Sequence, residues 1–415
     1  MFDRRQFIKQ ILAAGTLLYC SGSQPAFAKV SNKLPKCRIR TLTSGPKNHF
    51  FGYYGICPWN LSGKYLLSLE SPFQDHFPTS KESAAIGLVD ASTGKFEKIA
   101  VTFAWNLQQG AMLHWNPLQP DEIIFNDRKD NQIISVVMNI QTGKKRILPA
   151  AINGLSHNGK YALSLSYGRL GRLRKTVGYQ GLDDPTEKIP HPDNDGVFVM
   201  NMLTGERKLV VSIFDFYKLI KDRRPELKDR HMWCNHTVFN KNDTRFFFLG
   251  RSKENGRLQT GMFTANLDGY ELREVIPYGS RVSHFDWRNN NQIIATFQKN
   301  GRKGHYLFTD GKADYKALGD GFLDFDGHCS FAPNQNWLAT DRKQKLNQSL
   351  IVYNVLTNKG KILTTLDMKL KRNISGDLRC DFHPRWNRLG DAICFDAIDQ
   401  KNSTRQLHIA YLDFS

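Results

Sequence analysis

One phrase recurs seven times along this 415-residue chain: an apolar or aromatic anchor, a polar turn, then a run of β-formers. The anchors are Trp59 (PWNLSGKYLLSL), Trp115 (HWNPLQPDEIIF), Leu155 (GLSHNGKYALSL), Phe239 (VFNKNDTRFFFL), Trp287 (DWRNNNQIIATF), Phe331 (SFAPNQNWLAT) and Trp386 (RWNRLGDAICF). Neighbouring anchors stand 40 to 84 residues apart, room for four strands with their loops. Self-similarity at such a period marks a repeat architecture, in which each unit buries its apolar faces against the next. Second turns such as DASTGKFEKI, NIQTGKKRIL and NMLTGERKLV carry glycine where a tight turn needs positive φ.

Seven such units predict an all-β chain folded as a seven-bladed β-propeller. Each blade would run strand A to the anchor, turn, strand B, loop, strand C, second turn and strand D. The seventh unit is short: after CDFHPRW and AICFDAI only RQLHIAYLDFS remains. The N-terminal stretch CRIRTLTS is therefore expected to supply its fourth strand and close the ring, which would leave no unpaired edge there. Two packed β-sandwiches or a smaller ring are the alternatives, since the third unit departs most from the pattern.

The first 28 residues contain Arg4-Arg5, Phe7 and Lys9, an apolar stretch and an Ala26-Phe27-Ala28 exit site. They read as an export signal rather than a membrane anchor. The segment resembles a bacterial twin-arginine signal, whose machinery carries folded proteins. The expectation is a periplasmic or secreted protein in which residues 29–415 form a single propeller domain. Cys20 follows Tyr19, too large a residue for a lipoprotein site, and no other stretch approaches the ~20 apolar residues of a membrane span. Removing the segment takes away Arg4, Arg5, Lys9 and Asp3, so the formal charge of +19 becomes +17. A surface that basic expects a polyanionic partner. Cys37, Cys57, Cys234, Cys329, Cys380 and Cys394 are scattered without CxxC spacing, so they define neither a disulfide framework nor a zinc ribbon.

In a propeller the B-to-C loops and the starts of the A strands share one face. The expected loops 126–131, 166–181, 250–259, 298–305, 341–348 and 396–406 each carry two or more Lys or Arg. The longest interleaves Tyr167 and Tyr179 with Arg169, Arg172 and Arg174. Guanidinium forks suit carboxylate, sulfate or phosphate, and tyrosines stack on sugar rings or move protons. His49, Tyr53 and Tyr54 in the first unit, and Gln108, Gln109 and Asn126 in the second, are placed near the same entrance, where they could face a substrate.

In the last four units a histidine stands three residues before the anchor: His236, His284, His328 and His383. Equivalent positions of successive blades lie at one height around the channel, so these four should converge at the entrance. Imidazoles with a thiolate or carboxylate nearby make a plausible Zn or Mn site. Cys380, Cys329, Asp326 and Asp381 are candidates for a further ligand or for groups that orient the rings. A metal-free hydrogen-bonded cluster is the alternative. His114 and His157 fall out of register and are expected to be ordinary surface or turn residues.

The phrases NLQQGAMLHW, VSHFDW, DGHCSFAPNQNWLATD, RCDFHPRWNRLGDAICFD and RQLHIAYLD, in that order, resemble the seven-bladed propeller polysaccharide lyases. The likeness is closest to the ulvan lyase group and more distant to the oligogalacturonate lyases. It implies β-elimination on a uronic-acid-containing acidic polysaccharide and a metal held largely by His236, His284, His328 and His383. It also implies His and Tyr for proton transfer and Arg for the uronate carboxylate. Tyr167, Tyr179, Arg169 and Arg174 are of the right types for these tasks. The chain departs from the pattern in the second unit, where Gln108, Gln109 and Asn126 stand in the region of the ulvan group's catalytic histidines. The oligogalacturonate group's Gln/His/His cluster is likewise not reproduced around His383. The competing expectation is a non-catalytic propeller that binds an acidic glycan or a surface partner. Nucleic acid is disfavoured, because positive charge alone is non-specific and the export signal directs the chain away from it.

Overall fold

The computed structural model describes residues 33–299 and 301–415, and the export segment lies outside them. Among the described residues, 28 strands form seven four-stranded antiparallel sheets. Six sheets are built from strands consecutive in the chain, as in Trp233–Phe239, Arg245–Glu254, Arg257–Asn266 and Arg273–Ile276 of the fourth blade. The seventh joins Arg385–Trp386, Ala392–Ile398 and Arg405–Asp413 to the N-terminal strand Lys36–Thr41. That strand pairs antiparallel with the last one, from Lys36 opposite Asp413 to Thr41 opposite His408. The ring closes as the sequence predicts, and the propeller expectation is borne out.

The anchors hold blade to blade. The indole Nε1 of Trp115 donates to the Pro58 carbonyl at 2.7 Å, that of Trp287 to Val238 at 3.0 Å, and that of Trp386 to Ser330 at 3.0 Å. Each acceptor stands one residue before the preceding blade's anchor. The ring fills the inter-blade core while its one polar group finds a partner in the neighbour, the combination for which buried tryptophan is suited. The asparagine after the anchor has its own task. Asn387 Oδ1 accepts from the amides of Gly390, Asp391 and Ala392, and Asn240 Oδ1 from Thr244 and Arg245, so a side chain shapes the A-to-B turn.

Several expected B-to-C loops are instead strand. Glu122–Lys129 turns into Gln132–Asn139, Arg245–Glu254 into Arg257–Asn266, and Trp337–Gln344 into Asn347–Asn354, each through a two-residue hairpin. Positive φ at Asp130, Asn255, Gly256 and Lys345 fits such turns. The 84-residue gap between the third and fourth anchors holds, besides its strands, two helices, α1 (Tyr167–Leu173) and α2 (Ile213–Ile220). Ser212 and Asp215 cap α2 reciprocally, and its buried Phe216 meets Phe248 and Phe263 with ring centroids 5.6 and 5.2 Å away. No helix among the described residues is long and apolar enough to cross a membrane.

Candidate active and metal site

The first blade's inner strand is interrupted. Asn48–Phe50 pairs with Leu69–Ser71, and only Trp59 resumes the pairing, opposite Leu66. Between them Phe51-Gly52-Tyr53-Tyr54-Gly55 loops into the channel. Gly52 has φ +110°, and a Cβ there would sit 2.6 Å from the Gln109 carbonyl oxygen, so the close approach requires glycine. The loop carries two tyrosines to the axis. Tyr53 lies parallel on His383 with centroids 4.3 Å apart, and Tyr54 stacks on Phe285 at 4.2 Å and stands 4.7 Å from His236.

The four in-register histidines reach this one region. His284 and His328 have ring centroids 3.8 Å apart, and His328 meets His383 edge-on at 4.5 Å. His236 stands across the tyrosines. Its Nε2 is 3.5 Å from Tyr53 Oη, and its Nδ1 is 3.4 Å from Gln109 Nε2. Gln109 Oε1 has no other partner, so the amide can turn its oxygen to Nδ1–H and leave the Nε2 lone pair facing the phenol. Both His236 and His383 adopt positive φ, 57° and 45°. For a non-glycine residue that backbone costs roughly 1–3 kcal/mol, a strain that clusters at working sites.

The closest set of ligand atoms comprises His328, Asp381 and His383, all buried and within 4.8 Å of one another. Asp381 Oδ2 is 3.9 Å from His328 Nε2 and 3.8 Å from His383 Nε2. Asp341 sets this geometry. Its carboxylate accepts from the His328 amide at 2.6 Å, His328 Nδ1 at 3.0 Å, Gln348 Nε2 at 2.7 Å and the Phe382 amide at 3.3 Å. His328 is thereby turned to present Nε2, the carboxylate–histidine arrangement that orients metal ligands. Neither ring nitrogen of fully buried His383 has a hydrogen-bond partner. Two imidazoles, one of them partnerless, with a carboxylate between them fit a Zn- or Mn-class cation. Arg379 Nε, at 2.6 Å, and Lys343 Nζ also hold Asp381. Burial opposes its ionisation, but these two cations prevail and keep the carboxyl well below its ordinary range.

Cys380 stays out of this set. Residues 380 and 382 face the core between the sixth and seventh blades, whereas 381 and 383 face the channel. Burial pushes the Cys380 thiol up to about 12. His284 and His236 lie beside the triad rather than in it, and His284 Nδ1 is 2.8 Å from Asp326.

The expected entrance residues divide. Gln109 touches His236. Arg174 is partly exposed, pairs with Asp377 at 3.3 Å, and its charge bears on His236 and Arg251. Tyr167, Tyr179, Asn126, Gln108 and Arg169 are corrected to bracing positions. Tyr167 and Tyr179 are buried and stacked on each other at 4.2 Å. Asn126 Nδ2 donates to the Ile152 carbonyl at 2.8 Å and Tyr179 Oη at 3.0 Å, tying the second blade to the third. Gln108 Nε2 donates to the Arg379 carbonyl at 2.8 Å. Arg169 is 1% exposed and donates to the carbonyls of Met232, Thr186, Ile189 and Pro190. The physical reason is that residues 166–181 fold inward around α1 instead of lying as an open loop. Arg169→Ala should therefore lower unfolding stability by about 3–5 kcal/mol, read from urea denaturation, because it leaves several buried carbonyls unpaired.

Arg251 is a site residue that its polar surroundings hide, because GRSKENGRLQ reads as a loop. It lies inside Arg245–Glu254, buried, with Nε unpartnered. Burial first, and the Arg174 charge second, push its pKa down to about 10. Its charge in turn bears on Tyr53 and Tyr54.

No protein-family profile matches the chain, and no curated protein matches it. Solved structures do. An oligogalacturonate lyase in complex with manganese superposes with TM-score 0.62 at 14% identity, over 92% of this chain and 97% of that one. A second oligogalacturonate lyase, from Vibrio parahaemolyticus, gives 0.59 at 12% identity over 91% and 97%. The fold is shared with these lyases. The tricorn protease also aligns, at TM-score 0.48 and 8% identity over 85% of this chain and 33% of that one.

Proposed function

We propose that this chain is a polysaccharide lyase that cleaves a uronic-acid-containing acidic chain by β-elimination, with a divalent cation, Zn or Mn, held by His328, Asp381 and His383. The observation that carries the reading is the meeting of that triad with a proton-transfer pair, His236 and Tyr53, and unpaired guanidinium at one channel mouth. His328, Asp381 and His383 would hold the cation, which would supply positive charge to offset the negative charge that develops as C5 becomes carbanion-like. Burial and the Arg251 charge hold His236 far below the ordinary imidazole range, so it rests neutral with a free lone pair, and the proton it takes must pass on to a neighbour. Burial raises the Tyr53 phenol, so it keeps its proton until one is called for.

In the reaction His236 takes the C5 proton, and the electron pair left behind becomes the C4=C5 double bond. The C4–O4 bond breaks with its own pair, and Tyr53 protonates the leaving oxygen. The His236–Tyr53 contact then returns the proton, so both groups are restored. Arg251 and Arg174 are assigned to the carboxylate. The likeness of fold to oligogalacturonate lyases supports the reaction class. The ulvan-type phrases keep ulvan among the substrates, and the leader-like first 28 residues support export to the periplasm or beyond.

A second reading, binding of an acidic glycan without cleavage, is favoured by the grip of Arg379 and Lys343 on Asp381. A panel of ulvan, polygalacturonate and their oligosaccharides, supplied with Mn or Zn, separates the two. Ultraviolet-absorbing unsaturated product, lost in Tyr53→Phe, is the result expected. Binding of a polymer with no unsaturated product would give the second reading first place.

A further inference from the structure

The opposite mouth of the channel opens on a cavity of about 670 Å³. That is a small-molecule size. Its walls are the anchors and their turns, with Trp115, Phe331 and Trp386 among them. Gly55, Ile56 and Cys57 also line it. They follow directly on Tyr53 and Tyr54, so the loop that fills the histidine site forms the floor of this second one.

Two polar side chains at this cavity are buried and unsatisfied. Arg385 is 8% exposed, its Nε has no partner, and its Nη1 reaches only the Cys329 and Pro384 carbonyls, at 3.4 Å each. His114, expected from the sequence at the surface, is 5% exposed, and its Nε2 has no partner. Lys241 and Arg388 add positive charge to the lining, and Asp286 is its one carboxylate. Asp286 has one oxygen accepting from the Phe331 amide at 2.9 Å and the other 3.9 Å from Lys241, and although its charge bears on Arg385 it makes no hydrogen bond to the guanidinium. A guanidinium withdrawn from water without a fork-shaped partner is costly, and an anion there would remove the cost. The aromatic walls ask for an apolar or ring-shaped body behind that anion.

We propose that this cavity binds a small organic carboxylate, a ring-bearing acid whose carboxylate meets Arg385, Lys241 and Arg388 and whose ring lies among Trp115, Phe331 and Trp386. This site is separate from the histidine site and does not rest on the lyase reading.

The test is isothermal titration of the full chain with sodium benzoate, sodium cyclohexanecarboxylate and inorganic phosphate. At least one of the two carboxylates should bind saturably, with Kd on the order of 10 μM to 1 mM. Lys241→Ser combined with Arg388→Ser, at solvent-reaching positions that leave the core alone, should weaken it at least tenfold, as should Arg385→Lys. His328→Ala should leave it unchanged. No saturable heat with either carboxylate to about 10 mM overturns the proposal. So does binding of phosphate alone, or binding that His328→Ala abolishes and the Lys241/Arg388 double variant keeps.

Discussion

His328→Ala combined with His383→Ala should take the divalent cation proposed for this site from about one equivalent to a trace, and lower the proposed elimination at least about 100-fold. The argument rests on what each ring has besides a metal. His383 has no hydrogen-bond partner at either nitrogen; its ring packs on Tyr53 and His328, and its nitrogens stand 3.8 Å from the Asp381 and Asp396 carboxylates, which leaves a lone pair for a cation. His328 spends Nδ1 on Asp341 and keeps Nε2 for the channel. Asp341→Asn should sit between the wild type and the double variant, with metal affinity lowered about 10- to 100-fold, because the ligands remain but lose their orientation. Metal analysis by mass spectrometry, beside a circular-dichroism check of folding, reads both. Full retention of metal in the double variant would place the ion elsewhere.

Deletion of residues 33–41 should have the largest effect on folding. It removes the outer strand of the seventh blade and all six of its pairings, from Lys36–Asp413 to Thr41–His408. Cys37 and Ile39 also leave their places against the core between the sixth and seventh blades. The last strand, Arg405–Asp413, would then be an open edge able to pair with another chain. A loss above about 4–5 kcal/mol is expected, a large share of the 5–15 kcal/mol that holds a typical domain together. Urea unfolding should show an early transition, and light scattering should show association. A permuted chain carrying residues 36–44 after Ser415 through a tight turn should recover most of the stability, since Lys36 already lies opposite Asp413. Failure of that chain to recover would mean that position in the chain, not pairing, is what matters.

The fold was legible because its signals are local and repeated. Trp-Asn and Phe-Asn at the anchors encode an inter-blade hydrogen bond and a turn at once, and the short last unit leaves one strand to be found elsewhere. The histidine register was legible for the same reason, since equal positions in successive blades meet at one height. The site's other members carry no such period. Asp381 rather than Cys380 faces His328 because of which side of an extended segment each residue takes, and one residue of register decides that. Arg251 was hidden because the B and C strands run further than their polar sequences suggest. Arg169, Tyr167 and Tyr179 look like surface chemistry in sequence. They are interior bracing because α1 turns them inward, and a single sequence does not announce that long-range choice.

Asp341 fastens three things with one carboxylate: the His328 ring, the His328 backbone, and the backbone at Phe382, from which Asp381 and His383 extend to either side. The sixth and seventh blades thus hold the donor atoms in place with protein bonds alone. Loading and stripping of the proposed cation would then be exchange at a finished cradle rather than events in folding, unlike small metal-dependent domains that collapse without their ion. A chelated sample should keep its secondary structure and regain its ion on simple dialysis. Which cation the protein carries would follow supply at the place where it matures.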